Sequence, residues 1–402
     1  MFKKEFSKYF TLLNLYLAQS IPMSFFSTVV PVIMRMENYS LESIGYLQLI
    51  KLPWIIKFFW APFIDHTSQN LRDYRKWILG SEIFYAIVIV AIAFMDLQTD
   101  FMTIVVLMVI AFTASATQDI ATDAFAILSL KKEERSLGNS MQSAGNFLGT
   151  MVGSGVLLVI YHYYGWSNLL FGLAGLVLVA LIPVTFYKAS AQRIHHESKK
   201  KVSWLDFAHF FNQKGIWRHI LLLMLFYAGI IGILTMLKPY LVDLGYSVKK
   251  IGFIVGIVGT GTGALMTIPA GMFIKKKGLK KTLLILPVIN FLVAAYFTWL
   301  TFTSHPPYLV YIGIIFLWAA YAMSSVFIYT LSMGIVRKGK EGTDFTVQIV
   351  LTHLSSLIIS VSSGKIADTF TYRGLFFGEM VLGVVIIILL YSLYREKFYE
   401  RD

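Results

Sequence analysis

The stretch FMTIVVLMVIAFTASATQDIATDAF (101–125) decides the fold, because an uncharged apolar run passes directly into a polar one. Its second half holds Gln118, Asp119 and Asp123. About 20 mostly apolar residues are needed to cross a bilayer as a helix. Ionised groups in such a helix are costly unless they are paired, protonated or turned toward the interior of a helix bundle. The stretch therefore predicts a membrane-spanning helix with one polar face that points inward.

The composition of the whole chain indicates many such helices. The chain has 402 residues, of which 57% are hydrophobic and 14% are charged, whereas soluble proteins carry about 45–50% apolar and about 25% charged residues. We predict an all-α membrane protein with twelve transmembrane helices. They are expected at 8–33, 42–63, 77–95, 101–128, 136–161, 166–187, 216–240, 248–274, 280–302, 307–335, 342–368 and 373–394.

The distribution of positive charge predicts the orientation. Most of the 35 lysines and arginines fall in connections that share one side of the membrane if the N-terminus is inside. Because such residues remain in cytoplasmic loops, both termini are expected in the cytoplasm. The net charge of +13 is then a signal of topology, and nucleic acid is not an expected partner.

Several kinds of chemistry find no support in the sequence. Cysteine is absent, which excludes disulfides and thiol chemistry. A Walker loop is missing, so ATP is not expected to drive the protein directly. The adjacent histidines at 195–196 lack metal-ligand companions. No cofactor, metal site or enzymatic activity is therefore predicted.

The two halves of the chain resemble each other. IGYLQLI (44–50) opens the second predicted span and IGFIVGI (251–257) opens the eighth. We predict an N-terminal six-helix bundle (1–190), a cytoplasmic linker (191–215) and a C-terminal six-helix bundle (216–402). Two six-helix pseudo-repeats of the same orientation are typical of transporters whose halves rock about a central site. WLDFAHFF (204–211) in the linker has the spacing of a helix lying on a membrane surface.

Two further stretches point to a family. LPWIIKFFWAPFID (52–65) and SATQDIATDAF (115–125) resemble stretches found in the major facilitator superfamily. The similarity is closest to a branch with anhydromuropeptide permeases, acetyl-coenzyme A transporters and siderophore importers. NSMQSAGNFLGTMVG (139–153) is similar to the siderophore importers in particular. The resemblance implies the major facilitator fold, in a multi-pass protein of the bacterial inner membrane that works as a monomer.

The candidate coupling and gating residues are ionisable groups in or next to the spans. Asp119 and Asp123 share a helix face because they are four residues apart, and Lys57 lies at a similar depth in the second span. Lys57 can pair with either aspartate, and three roles are open for such a pair. It is a structural clamp between two helices, or the carboxylate exchanges its lysine partner for a proton during transport, or the carboxylate contacts the substrate directly. Asp65 with Arg75 and Lys76 is predicted to form a second latch. His353 and Glu379 complete the set in the second half.

The candidate substrate-cavity residues are polar side chains elsewhere in the spans. They are Gln19, Lys51, Gln118, Gln142, Asn146, Lys238 and Gln348. Each of them is alternatively a helix–helix hydrogen bond, and Lys51 is alternatively a partner of Glu82 or Asp119. His353 is alternatively packed against a neighbouring helix.

Glycines recur every four residues in the fifth span, at Gly145, Gly149 and Gly153. Such stripes let helices approach closely, and in the superfamily the fifth span faces the eighth. We therefore expect the stripe at a seam between the halves, for rocking or for static packing.

The sequence as a whole predicts a secondary active transporter that imports a bulky polar solute, such as a siderophore or a muropeptide, with protons. Its expected partners are that solute, protons and the lipid bilayer. The alternatives are a proton-coupled exporter or an acetyl-coenzyme A-like carrier, and more distantly an intramembrane enzyme or a receptor on the same scaffold.

Overall fold

The computed structural model describes residues 2–36, 47–188 and 205–393, and the regular elements of these ranges are helical. The α-helices of the first half are α1 (Phe2–Ser24), α2 (Val30–Met36), α3 (Leu52–Ile56), α4 (Ala61–Thr67), α5 (Leu71–Ala93), α6 (Phe101–Ser129), α7 (Arg135–Met151), α8 (Leu157–Ala180) and α9 (Ile182–Phe186). Those that follow are α10 (Asp206–His209), α11 (Ile216–Phe226), α12 (Ala228–Asp243), α13 (Val248–Ile251), α14 (Thr260–Leu300), α15 (Pro307–Met333) and α16 (Glu341–Leu393).

Eight helical stretches of the described residues are long and apolar enough to cross a membrane. Two of them, Lys249–Leu300 and Glu341–Ser392, have 52 residues, about 78 Å if straight against a hydrocarbon core of about 30 Å. Each is interrupted once by left-handed backbone, at Gly278 (φ 75°) and at Thr371 (φ 60°). These interruptions fall between spans that the sequence separates. The protein is thus an all-α, multi-pass membrane protein, and the division into exactly six plus six spans stays a prediction.

The second predicted span is broken into short pieces where the sequence has prolines. Pro53 and Pro62 stand in the first turns of α3 and α4, the position that tolerates a residue without a backbone N–H. A 3₁₀ turn over Lys57–Phe59 joins the two helices. This irregular path gives Lys57 its place in the interior. The start of the predicted span, residues 42–46, lies outside the described residues.

The chain divides into two compact units, which follow the predicted halves except at two short segments. One unit comprises residues 1–132, 145–209 and 336–347, so it includes the start of α16. Its core is aromatic and aliphatic, with Phe26 and Tyr85 both set edge-on against Phe112. The other unit comprises 133–144, 210–335 and 348–402, and it includes the start of α7. There Phe226 stacks on Phe327 with ring centroids 5.0 Å apart.

Most of the predicted linker (191–204 of 191–215) lies outside the described residues. Its described end forms α10, which packs on the first unit. The ring of Phe207 lies edge-on to those of Phe58 and Phe59, with centroids 5.3 and 5.5 Å apart. Asp206 forms an ion pair with Lys340. The predicted surface-lying helix is thus held to the protein by a charge and an aromatic contact.

The glycine stripe of α7 faces α1, and the prediction that it faces the eighth span is wrong. A Cβ on Gly145 would stand 2.7 Å from Cβ of Tyr16, and one on Gly149 2.5 Å from Cβ of Ser20. The stripe lets α1 and α7 approach until Ser20 donates to Asn146 (2.7 Å). Sequence spacing identifies the small face of a helix but does not say which helix covers it.

Candidate functional site

A buried ion pair lies in the first unit, between the turn after α3 and the middle of α6. The ammonium group of Lys57, 1% exposed, contacts the carboxylate of Asp119, 4% exposed. The same ammonium group lies 4.6 Å from the ring centroid of Trp54. The sequence allowed either Asp119 or Asp123 as the partner of Lys57, and the structure shows Asp119.

Helix α1 covers this pair with two polar side chains. Gln19 donates from Nε2 to Oδ1 of Asp119 (2.9 Å), and Tyr16 donates its hydroxyl to Oδ1 of Asp123 (2.6 Å). Both aspartates are buried. We call Tyr16, Gln19, Lys57, Asp119 and Asp123 the charged cluster. It ties three helical segments together through charge-assisted hydrogen bonds, which are stronger than neutral ones.

Sequence reasoning missed Tyr16. Tyr16 and Gln19 are three residues apart in α1 and therefore share one face. That spacing was the available signal, but nothing in the sequence indicated that this face meets α6.

Asp65 at the end of α4 has different partners from those predicted. It accepts hydrogen bonds from the backbone N–H groups of Gly342 (3.0 Å) and Thr343 (2.7 Å) and from the hydroxyls of Thr343 (2.6 Å) and Tyr74 (2.8 Å). Gly342 is required there, because a Cβ would stand 2.8 Å from Oδ1 of Asp65. Asp65 thus binds the first turn of α16, where unpaired N–H groups and the helix dipole attract an anion.

The predicted latch of Asp65 with Arg75 and Lys76 is wrong. Arg75 donates to the backbone oxygen of Tyr187 (2.8 Å). Lys76 is largely exposed and pairs with Asp73 at 3.1 Å. Successive residues of a helix are rotated by about 100°, so the face of α5 that presents Tyr74 to Asp65 turns both basic side chains away.

The environment of Asp65 also changes its acidity. The pKa of this carboxyl is raised to about 6, chiefly by burial and also by the nearby Glu341, while the hydrogen bonds from Thr343 and Tyr74 partly oppose the rise. Asp65 lies beyond the predicted end of the second span, on a part of the chain that a change of pH can reach.

The start of α16 carries a second group of charges. Arg337 binds the carboxylate of Asp344 with two nitrogens, at 2.6 and 2.9 Å, and donates to the backbone oxygen of Asp206 (2.9 Å). Lys340 contacts the carboxylate of Asp206. Together with Asp65, these bonds hold segment 336–347 and α10 in the first unit.

The candidates in the second half are dispersed. The carboxyl of Glu379 is buried against Gly232 and the hydroxyl of Ser363. The side chain of Gln348 is fully buried, binds His219 (2.6 Å) and donates to two backbone oxygens at 3.0 and 3.2 Å. Its side chain thus joins helices in this conformation, and the cavity role for Gln348 stays a prediction.

The other predicted cavity residues differ in exposure. Gln118 and Gln142 are buried, Asn146 is bound to Ser20, and Lys51 and Lys238 are exposed. His353 is also exposed, and its packing against a neighbouring helix stays a prediction. Of these candidates, the structure joins Gln19 directly to Asp119.

A groove of about 690 Å³ lies on the first unit between α4, α5 and α6. Trp77, Phe84 and Ile110 supply much of its lining, and Lys76 stands at its rim. No residue of the charged cluster lines it. The groove is therefore a separate feature from the candidate site.

A multi-pass helical protein with paired charges buried inside its spans has the organisation of a membrane transporter. The described residues hold no group of three or more histidine, aspartate or glutamate side chains that could bind a metal ion. The family model of the Major Facilitator Superfamily matches residues 12–360. The chain therefore belongs to that superfamily, and it is a transport protein and not an enzyme.

Curated relatives agree at low identity. The anhydromuropeptide permease of Escherichia coli K12 is 23% identical over 94% of this chain and 78% of its own length. A putative transporter AmpG 3 of Rickettsia prowazekii is 25% identical over 99% of this chain and 98% of its own. An uncharacterized protein of Haemophilus influenzae is 26% identical over 71% of this chain and 69% of its own.

Solved structures show the same fold. A bacterial homologue of the iron transporter ferroportin, in an outward-facing state, matches with a TM-score of 0.69 at 16% identity, covering 96% of this chain and 98% of its own. The proton:xylose symporter XylE matches with a TM-score of 0.68 at 13% identity, covering 97% of this chain and 95% of its own. At such identities the similarity extends to the fold alone.

Proposed function

We propose that the protein imports a bulky polar solute across the bacterial inner membrane by alternating access, driven by protons, with both termini in the cytoplasm. The buried pair of Lys57 and Asp119 carries this proposal. Charged groups inside membrane spans are costly and mark transport pathways. Gln19 on a third helix donates to the same Asp119, so the pair fixes three helical segments around such a pathway.

The contact between Asp65 and the start of α16 serves as a gate in this proposal. It joins residues that are 277 positions apart in the chain, one from each half of the sequence. Opening requires that the N–H groups of Gly342 and Thr343 leave the carboxylate. The bonds of Arg337 and Lys340 to Asp206 support the same closed contact.

The relatives favour an anhydromuropeptide over a siderophore as the solute. The Escherichia coli relative is named an anhydromuropeptide permease, and its alignment spans 94% of this chain. Export, or transport of an acetyl-coenzyme A-like solute, is the alternative function.

The test is uptake of a radiolabelled anhydromuropeptide by Escherichia coli cells that lack their own permease and express this chain. We expect accumulation that a protonophore abolishes. Lys57→Met should remove accumulation, whereas Lys276→Met, at an exposed lysine, should retain it. Accumulation that ignores the protonophore contradicts proton coupling. Absence of uptake, together with uptake of an iron-loaded siderophore in the same cells, moves the assignment to that solute.

A further inference from the structure

Glu82 is a carboxyl buried inside a predicted span. It is 0% exposed, and neither of its side-chain oxygens has a hydrogen-bond partner among the residues that the structure describes. It follows the polar first turns of α5 and lies five residues inside the predicted span 77–95, about 8 Å along the helix axis. With a hydrocarbon core about 30 Å thick, that position is in the cytoplasmic half of the bilayer.

Among the described residues, no cation is paired with Glu82. The basic residues of α5 itself are Arg72, Arg75 and Lys76, in its first two turns, and Arg75 and Lys76 bind Tyr187 and Asp73 instead. Helix α5 packs against α6 and α8, with smaller contacts to α4 and α9. Helices α6 and α9 contain no basic residue, and the only ones in α8 and α4 are His162 and His66, both near a helix end. Lys57 is bound to Asp119, and the pairing of Lys51 with Glu82 that the sequence allowed does not occur.

The ionisable groups that face this region are acidic or neutral. On α5 itself Tyr85 follows one turn later, and on α6 the nearest are Asp119 and Asp123. Asp119 is already ion-paired with Lys57, and Asp123 already accepts a hydrogen bond from the hydroxyl of Tyr16. A carboxylate at Glu82 would therefore be desolvated without a compensating charge from these groups, which opposes its ionisation.

The neighbouring polar groups lack partners as well. The hydroxyls of Tyr85 and Ser115 and both ends of the Gln118 amide are buried without a hydrogen bond to the described residues. The ring of Tyr85 lies edge-on to Phe112 at 6.4 Å. Helices α5 and α6 run antiparallel, so a step backward from Tyr85 corresponds to a step forward from Phe112. Glu82 is three residues before Tyr85 and Ser115 is three residues after Phe112. The two side chains therefore lie at about the same level. The hydroxyl of Ser115 is one helical turn from Asp119.

We propose that Glu82 is protonated in this conformation and is the group that carries the coupling proton, while Lys57 and Asp119 remain a fixed ion pair. In the closed helix hairpin Glu82 binds a proton as a neutral acid. When the hairpin admits water, the proton leaves and the carboxylate is solvated. This inference rests on the proposed proton-driven import and names the residue responsible for it.

The first test reads protonation directly and needs no substrate. Infrared spectra of the purified protein in liposomes at neutral pH should show a protonated carboxylic C=O band that is lost in Glu82→Gln. The matched control is Asp119→Asn, which should leave this band in place because the carboxyl of Asp119 is paired with Lys57. Loss of the band in Asp119→Asn but not in Glu82→Gln places the proton on the other residue and overturns the proposal.

The second test separates the inference from the proposed function. Proteoliposomes are loaded with the anhydromuropeptide, and exchange across the membrane is compared with accumulation driven by a pH gradient. Glu82→Gln imitates the neutral acid, so it should retain exchange at about the wild-type rate and lose accumulation at least tenfold. A variant that accumulates like the wild type contradicts the role of Glu82.

Failure of the proposed function has a different outcome. A wild-type protein that exchanges the solute but never accumulates it with a pH gradient shows that protons do not drive transport. If Glu82→Gln does not fold, Glu82→Leu tests the same point, since it also removes the ionisable group. Folded Glu82→Leu with intact pH-driven accumulation overturns the proposal equally well.

Discussion

The ammonium group of Lys57 is enclosed by the ring of Trp54 and the carboxylate of Asp119. A buried ion pair adds little net stability, because both ions lose their hydration. Removal of one partner is far more costly, since the remaining charge is left buried alone. The two singly substituted proteins and the doubly substituted one therefore report whether the pair is fixed.

We expect Lys57→Ala and Asp119→Asn each to lower the free energy of unfolding by about 3–5 kcal/mol. The double variant should recover most of that loss, because no unpaired charge remains. Denaturant titration of the purified proteins in detergent measures all four values. Simple additivity of the two single losses contradicts a tightly coupled pair.

A second prediction concerns the close approach of α1 and α7. Gly149→Ala places a methyl group 2.5 Å from Cβ of Ser20, which overpacks the contact and should cost about 1–3 kcal/mol. Gly155→Ala is the matched control, because no atom lies within 4 Å of its Cβ position. Thermal unfolding should show a lowered midpoint for the first variant only. Equal midpoints would place the α1–α7 contact further apart than described.

At the scale of elements, the end of α4 meets the start of α16. A carboxylate at a helix N-terminus satisfies backbone N–H groups and opposes the helix dipole. Asp65 does so from a buried position, and its pKa of about 6 shows that burial outweighs those bonds. The capped state, in which Asp65 binds the start of α16, therefore binds a proton more tightly than a state that exposes Asp65 to water.

This difference gives the capped state a defined pH dependence. Above about pH 6 Asp65 is ionised in both states, and the capped state bears the full cost of burial. As the pH falls through 6 toward 3.8, the ordinary pKa of an aspartate, protonation favours the capped state, by about 3 kcal/mol at most. In the exposed state Asp65 does not bind a proton until the pH reaches that ordinary pKa.

We expect spin labels at Thr67→Cys and Lys338→Cys to show more of the short distance at about pH 5 than at neutral pH. The chain has no cysteine of its own, so the labels are unique. Asp65→Asn should abolish the pH dependence, whereas Asp73→Asn on the neighbouring helix should retain it. A shift in the opposite direction would show that ionised Asp65 favours the capped state.

The sequence predicts elements better than it predicts contacts between them. Apolar length identifies the spans, and the interruptions at Gly278 and Thr371 fall where loops are expected. Similar depth predicts that Lys57 pairs with Asp119 or Asp123, and the structure shows the contact with Asp119. Asp65 is different, because its partners come from the far end of the sequence and are backbone groups, which leave no residue-type signal. Opposite charge alone suggested Arg75 and Lys76 as partners of Asp65. Both side chains point away from Asp65, because successive residues of a helix are rotated by about 100°.

At the scale of the whole molecule, the distribution of lysine and arginine predicts that both termini face the cytoplasm. In a bacterial host, alkaline phosphatase fused to the C-terminus should therefore be inactive. A fluorescent protein fused at the same place should be fluorescent. A fusion inserted after residue 97, in the connection between α5 and α6, should give the reverse pattern. Equal activity at both sites would contradict the prediction that the C-terminus and the connection after residue 97 lie on opposite sides of the membrane.

The composition of the two units has a consequence for biogenesis. The unit that holds Asp65 is complete only when residues 336–347 have been made, 277 positions after Asp65 itself. At about 5–20 residues per second, synthesis of that interval takes roughly 14–55 s. Lys57 and Asp119 are both present long before, so the first unit acquires its ion pair early and its cap late. The nascent chain thus passes through a stage in which α4 ends in an uncapped carboxylate, and that stage is the one in which insertion factors and quality-control proteases meet the protein.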